Sequence, residues 1–134
     1  MKLNRRAEDY MKVIYRLRDQ GLVRGVDIAR EFGVSKPTVS VALKKMEASG
    51  LISFYQEKGI ELTEKGEMIA REVIGRYDVL YGFLTDLGVD EQTAHEDACR
   101  MEHGISETSL SALKELRQYL RYAPFKPESQ LINK

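Results

Sequence analysis

Between His95 and His103 the chain gathers both of its histidines and its single cysteine, with three acidic residues among them. Cys99, Glu102 and His103 stand at i, i+3 and i+4, so on a helix they share one face. His95 lies one turn earlier on nearly that face. A thiolate, a carboxylate and an imidazole together form a donor set suited to a divalent transition metal. The residues alone also leave open a second reading, a buried cysteine beside an ordinary Glu–His pair.

The elements that must position this cluster are mostly helical. Tyr10, Val13, Ile14 and Leu17 recur with the period of one helix face, with Asn4 as a cap and Gly21 as a stop. A short helix follows, with Val26, Ala29 and Phe32 facing inward, and Gly33 breaks it. Ser35 opens the next helix with Pro37 in its first turn, a standard helix start. That helix carries Val39, Ala42, Leu43 and Met46 on one face and stops at Gly50. Leu51–Tyr55 and Ile60–Thr63, on either side of Gln56-Glu57-Lys58-Gly59, predict a β-hairpin. From Glu64 to about Leu87 the pattern is helical again, with Ile69, Val73, Leu80 and Leu84 as its stripe and Tyr77 on the same side. Gly88-Val89 separates it from a helix at about Asp90–His103, which Gly104 ends. A last helix starts at Ser106-Glu107 and carries Leu110, Leu113, Leu116 and Leu120. Ala123–Lys134 holds two prolines and reads as a loose tail.

The segment from Gly25 to about Lys44 has the inner pattern of two helices crossing at a tight turn. Ala29 is small where the second helix crosses, Gly33 suits a positive φ in the turn, and Ile28, Phe32, Val34, Val39 and Ala42 fill the wedge. A helix-turn-helix followed by a hairpin predicts a DNA reader with a wing. The front of the second helix enters the major groove, which puts Ser35, Lys36, Pro37, Thr38, Ser40 and Val41 at the DNA. Hydroxyls contact phosphates or base edges, and Pro37 and Val41 suit thymine methyls. Arg24, Lys44 and Lys45 are placed for phosphates, as is Lys58 at the wing tip, which could also reach the minor groove. No Arg, Asn or Gln stands at the helix front as a bidentate base reader, so specificity rests on methyl contacts and DNA shape.

Composition agrees. The chain has 134 residues and zero net charge, but residues 1–50 carry eleven basic against six acidic residues, net +5, and the remainder is net −5. DNA affinity needs a basic surface, not a basic total. No apolar run approaches the roughly 18 residues that span a bilayer, and the N-terminus lacks a secretory pattern. With one cysteine and no intrachain disulfide, a cytoplasmic protein is expected.

Ala98-Cys99-Arg100-Met101-Glu102-His103 resembles the metal-binding signature of the diphtheria toxin repressor family, which includes the manganese-transport regulators. Ala7-Glu8-Asp9-Tyr10 through Ile14-Tyr15 resembles the family's first helix, Ser35-Lys36-Pro37-Thr38-Val39-Ser40 its recognition-helix start, and Leu62-Thr63-Glu64-Lys65-Gly66 its exit from the wing. The similarity covers about residues 7–122. It implies a mainly α fold, with an N-terminal winged helix-turn-helix DNA-binding domain (1–63), a C-terminal helical metal-binding and dimerisation domain (64–122), and a flexible tail (123–134). It also implies a homodimer on a double-stranded DNA operator and repression of metal-uptake genes when metal is replete. No enzyme activity, small-molecule substrate or membrane is expected. Longer members carry an SH3-like third domain, for which this chain is expected to be too short.

The resemblance transfers the ligand roles residue by residue. Cys99, Glu102 and His103 match ligand positions, and Asp9 falls where the first helix contributes one. Asp at that position is typical of the manganese branch and Cys at position 99 of the iron branch, so the expected cofactor is Mn²⁺ or Fe²⁺. In vitro, Zn²⁺, Ni²⁺ or Co²⁺ would also bind. The family's second site is incomplete: Lys12 stands in place of a Glu, Tyr77 in place of a His and Tyr81 in place of a Glu, while His95 matches an ancillary ligand. One metal per chain is therefore expected, with Lys12 a fixed positive charge nearby. Such a metal would clamp the reading unit against the dimerisation helices and so set the spacing of two recognition helices. The apolar stripes of the Glu64–Leu87 and Ser106–Leu120 helices are the expected dimer surface. Two rivals remain: a winged-helix regulator that no longer answers to metal, and, more remotely, a metalloenzyme.

Overall fold

The computed structural model describes residues 5–122. In chain order these form α1 (Arg5–Leu17), a 3₁₀ turn (Arg18–Gln20), α2 (Gly25–Phe32), α3 (Lys36–Ala48), β1 (Ile52–Tyr55), β2 (Gly59–Leu62), α4 (Glu64–Asp86), α5 (Glu91–Met101) and α6 (Glu107–Leu120). The chain divides into two compact units, Met1–Glu72 and Val73 onward. The expected Asn4 cap and the tail 123–134 lie outside the described residues. None of the described helices is long and apolar enough to cross a membrane.

The first unit is built on one apolar core. Tyr10, Met11 and Ile14 of α1, Ile28 and Ala29 of α2, and Val39, Leu43 and Met46 of α3 meet Leu51, Ile52 and Ile60 of the hairpin region. Tyr10 also packs its ring against Phe32, with centroids 4.8 Å apart. Of the two residues of the first turn of α2 expected to face inward, Ile28 is fully buried, whereas Val26 is 37% exposed. Turning the helix by two residues swaps one branched residue for the other, and the crossing α3 selects Ile28. Gly33 takes φ +65°, the left-handed region that a glycine enters without a Cβ clash. There it lets the Val34 N–H donate to the Ala29 carbonyl at 3.0 Å, which closes the helix end. Ser35 then caps α3 by accepting from the Thr38 N–H.

The hairpin is antiparallel, with Ile52 opposite Leu62 and Tyr55 opposite Gly59. It is pinned to the body where the Ile60 N–H donates to the Val23 carbonyl at 2.8 Å. Thr63 joins the wing to α4. Its hydroxyl donates to the Gly50 carbonyl at 2.6 Å and accepts from the Gly66 N–H at 3.1 Å. At Gly66 the helix runs so close to the residue preceding β1 that an added Cβ would collide with the Leu51 carbonyl oxygen.

In the second unit, Val73 and Leu80 of α4 and Ala94 and Ala98 of α5 are fully buried. Asp90 caps α5 by accepting from the Thr93 N–H at 3.0 Å, and Ser106 caps α6 by accepting from the Ser109 N–H at 3.1 Å. Arg117 of α6 bonds Asp86 at 2.9 Å, with its guanidinium laid over Gly82. No residue of α6 is buried, and Leu116 is 46% exposed. The expected leucine stripe is therefore only partly covered in the single chain, with Leu110, Leu113 and Leu120 half-buried. The helical ladder of α5 ends at Met101 rather than at His103, although Glu102 keeps helical torsions.

Two outcomes follow from this packing. Gly66→Ala should lower the unfolding free energy by about 1–3 kcal/mol in denaturant titration, because helix or strand must shift. The Thr93 backbone N–H holds the Asp90 carboxyl below its ordinary value of 3.8, so the charged cap stabilises the fold above that value and the gain is lost as pH falls through the lowered one. Asp90→Asn keeps an acceptor without the charge. The stability gap between wild type and variant should be present at about pH 6 and close as pH drops from about 4 towards 2.

Candidate functional site

α5 and the turn after it present the candidate ligands. Glu102 and His103 have side chains 0% and 7% exposed, and Glu102 Oε1 lies 3.4 Å from His103 Nε2. That separation exceeds the roughly 2.7–3.2 Å of a good N–H···O hydrogen bond. It matches two donors on one ion: with bonds of about 2.1 Å at tetrahedral to octahedral angles, they sit roughly 3.0–3.4 Å apart. The buried carboxylate and imidazole thus fit a divalent metal both in chemistry and in spacing.

Two residues of α4 hold this segment. Arg76 Nε donates to the Glu102 backbone carbonyl at 2.7 Å, placing a cation at the C-terminal end of α5, where the helix dipole favours one. Tyr77 Oη lies 2.7 Å from His95 Nδ1, and its ring stacks on Tyr81 with centroids 5.6 Å apart. Cys99 is turned back along its helix. Its sulfur lies 3.8 Å from His95 Nε2 and 4.0 Å from Nδ1. Within this unit the structure brings Glu102 and His103 together, and Cys99 does not join them in a compact three-ligand group.

In the first unit, Asp9 sits half-buried on α1 beside a small pocket of about 140 Å³, shared with Arg6, Tyr10, Phe32 and Val34. Lys12 of the same helix is buried. The sequence-predicted DNA residues Arg24, Lys36, Pro37, Thr38, Ser40, Val41 and Lys44 are all exposed, as is Lys58 in the hairpin turn. Ser35 is exposed too, but its hydroxyl is engaged: besides capping Thr38 N it shares a 2.7 Å hydrogen bond with the Thr38 hydroxyl. Lys58 Nζ lies 6.0 Å from the centre of the Tyr55 ring, at the edge of cation–π range. Phe54, 46% exposed on β1, lines the same face as Lys36, Ser40 and Lys44. The sequence reading missed it, although an aromatic residue on a wing strand was the available signal.

Comparison with known proteins gives matches over nearly the whole chain. Residues 2–60 match the N-terminal DNA-binding domain of the iron dependent repressors. Residues 63–130 match the iron dependent repressor metal binding and dimerisation domain. The transcriptional regulator MntR of Escherichia coli O6:H1 is 41% identical over 108 residues, 80% of this chain and 70% of that protein. The HTH-type transcriptional regulator MntR of Bacillus subtilis is 32% identical over 113 residues, 84% of this chain and 80% of that protein. The solved structure of the manganese regulator SloR superposes with a TM-score of 0.75 at 29% identity, over 89% of this chain. This chain spans 55% of the length of that structure.

The Tyr77–His95 contact yields a direct check. Tyr77→Phe should cost the metal-free protein about 0.5–1 kcal/mol, measured by denaturation in the presence of a chelator.

Proposed function

The chain belongs to the iron-dependent repressor family of transcriptional regulators, and we propose that it represses metal-uptake genes when Mn²⁺ or Fe²⁺ is replete. In this reading it works in the cytoplasm as a homodimer on a double-stranded DNA operator, with no small-molecule substrate. Residues 1–63 bind DNA, residues 64–122 bind metal and dimerise, and 123–134 form the tail. The relatives are regulators, and the chain is not an enzyme.

One divalent ion is held by Asp9, Cys99, Glu102 and His103, with His95 ancillary. The observation that carries this is the buried Glu102–His103 pair, with donor atoms 3.4 Å apart. Cys99 completes the set by rotating from His95. The Asp9 role rests on the likeness of its helix to the family's first helix. A bound ion supplies positive charge and fixed coordination directions. The residues supply selectivity: carboxylates suit Mn²⁺ and Fe²⁺, while the thiol also admits Zn²⁺, Ni²⁺ or Co²⁺ in vitro. Because the ligands come from both domains, holding them together fixes the recognition helices of a dimer at the spacing of one DNA turn. DNA and metal then tighten each other's binding by the same factor.

Restriction to one ion is supported by what fills the family's second-site positions. Tyr77 is engaged with His95 and stacked on Tyr81, and Lys12 is a buried cation. For DNA, Arg24, Lys36, Lys44 and Lys58 contact phosphates, while Ser35, Pro37, Thr38, Ser40 and Val41 lie at the base edges.

The test begins with a duplex selected from a random pool by the metal-loaded protein. Binding to that duplex should be lost with chelator and return with Mn²⁺ or Fe²⁺, and calorimetric titration of Mn²⁺ should saturate at one equivalent per chain. Glu102→Ala should weaken metal by more than about a hundredfold, beyond the usual effect of an outer residue. Saturation at two equivalents would overturn the single site. Chelator-insensitive, sequence-specific binding would instead establish a regulator without metal control.

A further inference from the structure

Beside the reading face of α3 runs a groove of about 550 Å³, bounded by α2, α3 and β1. Its two walls are apolar and open to solvent. Val26 on α2 is 37% exposed and Phe54 on β1 is 46% exposed, and Leu43 lies between them. Lys36 and Lys44 stand on its rim, with Ser40 on the α3 side. Exposed apolar side chains set beside exposed cations make a surface complementary to a partner that is both charged and apolar. The lysines choose the partner: an anion with an apolar face. A DNA strand has that character, because charged phosphates alternate with deoxyribose rings whose C–H groups are apolar. The groove is also continuous with the helix front that enters the major groove.

We infer that this groove receives the sugar–phosphate strand flanking the major groove, with Phe54 and Val26 packing on deoxyribose while Lys36 and Lys44 take the phosphates. The inference rests on the DNA-regulator reading and adds to it. It makes Phe54 and Val26 contact residues that grip the backbone without charge. It also gives Glu47, which lines the groove as well, an opposing role: its carboxylate repels phosphate and limits how far the strand runs along α3.

The two kinds of contact leave different signatures. Charge contacts release counterions, so losing one lowers the slope of log K against log salt by about one, whereas losing an apolar contact weakens binding at every salt concentration and leaves the slope unchanged. The experiment measures affinity for the duplex selected from the random pool, by fluorescence anisotropy across a salt series. The metal-loaded full chain is used, and circular dichroism checks that each variant is folded. Phe54→Ala should bind about five- to tenfold more weakly with an unchanged slope. Val26→Ser, on a different element, should weaken binding about threefold in the same way and decides the matter if the first variant misfolds. Lys44→Ala should lower the slope by about one, and Glu47→Gln should tighten binding about two- to threefold. If Phe54→Ala and Val26→Ser bind within twofold of wild type, the groove serves another occupant and the inference falls while the regulator reading stands. A changed slope in those two variants overturns it equally. If the wild type binds no duplex under any metal condition, the regulator reading fails, and the groove assignment with it.

Discussion

A carboxylate taken out of water must be compensated, and Glu102 is the most deeply buried acidic side chain among the described residues. Uncompensated, that burial costs several kcal/mol. The surrounding architecture is arranged to meet this demand. The turn after α5 brings the His103 imidazole to 3.4 Å from the carboxylate, and Arg76 takes the Glu102 backbone carbonyl. Ala94 and Ala98 leave α5 no bulk on its buried face, so its last turn can sit deep. The same burial that makes the site expensive in the absence of a cation makes it strongly attractive to one. Charge and hydrogen bonds that would be diluted in water act here at low dielectric.

The DNA-reading unit answers a different constraint, the need to present polar residues on a helix whose back is dry. Leu43 and Met46 bury one face of α3, and the opposite face stays open from Lys36 to Lys44. The turn before it is fixed by Gly33, and the wing after it by the Val23 and Thr63 hydrogen bonds. Orientation of the recognition helix is therefore set by backbone geometry on both sides rather than by the residues that would touch DNA. Apart from Ser35, which caps α3, those residues are free to vary without loss of the frame.

Much of this frame was legible in the residues. Caps were read directly, because Ser35 and Ser106 have hydroxyls at the distance of an N-terminal turn and few other reasons to stand there. Long helices were legible from period alone, and the hairpin from two β-rich runs around Lys58-Gly59. The failures have physical causes. In an eight-residue helix both Val26 and Ile28 were read as inward, but two residues apart they lie on nearly opposite faces, and only Ile28 faces the crossing α3. The Cys99 position is a different matter, not a failure: face-sharing puts it with Glu102 and His103, a shared face does not fix a rotamer, and here the sulfur lies towards His95. The Tyr77–His95 contact joins residues 18 apart on different helices, so no local pattern announces it. The end of α5 was overrun by two residues because Glu102 keeps helical torsions after the hydrogen-bond ladder has stopped.

The hydroxyl of Ser35 is tied up in its own helix cap and in the hydrogen bond to Thr38. That leaves the front of the recognition helix with a meagre chemical vocabulary for reading bases: a proline ring, a valine, the Ser40 hydroxyl and a Thr38 hydroxyl already shared with Ser35. A vocabulary of that size distinguishes a methyl from its absence but spells out few base pairs. Sites departing from the best match would then lose affinity in small steps rather than all at once. The genome would present such a protein with a graded series of targets, filled in rank order as its active form accumulates.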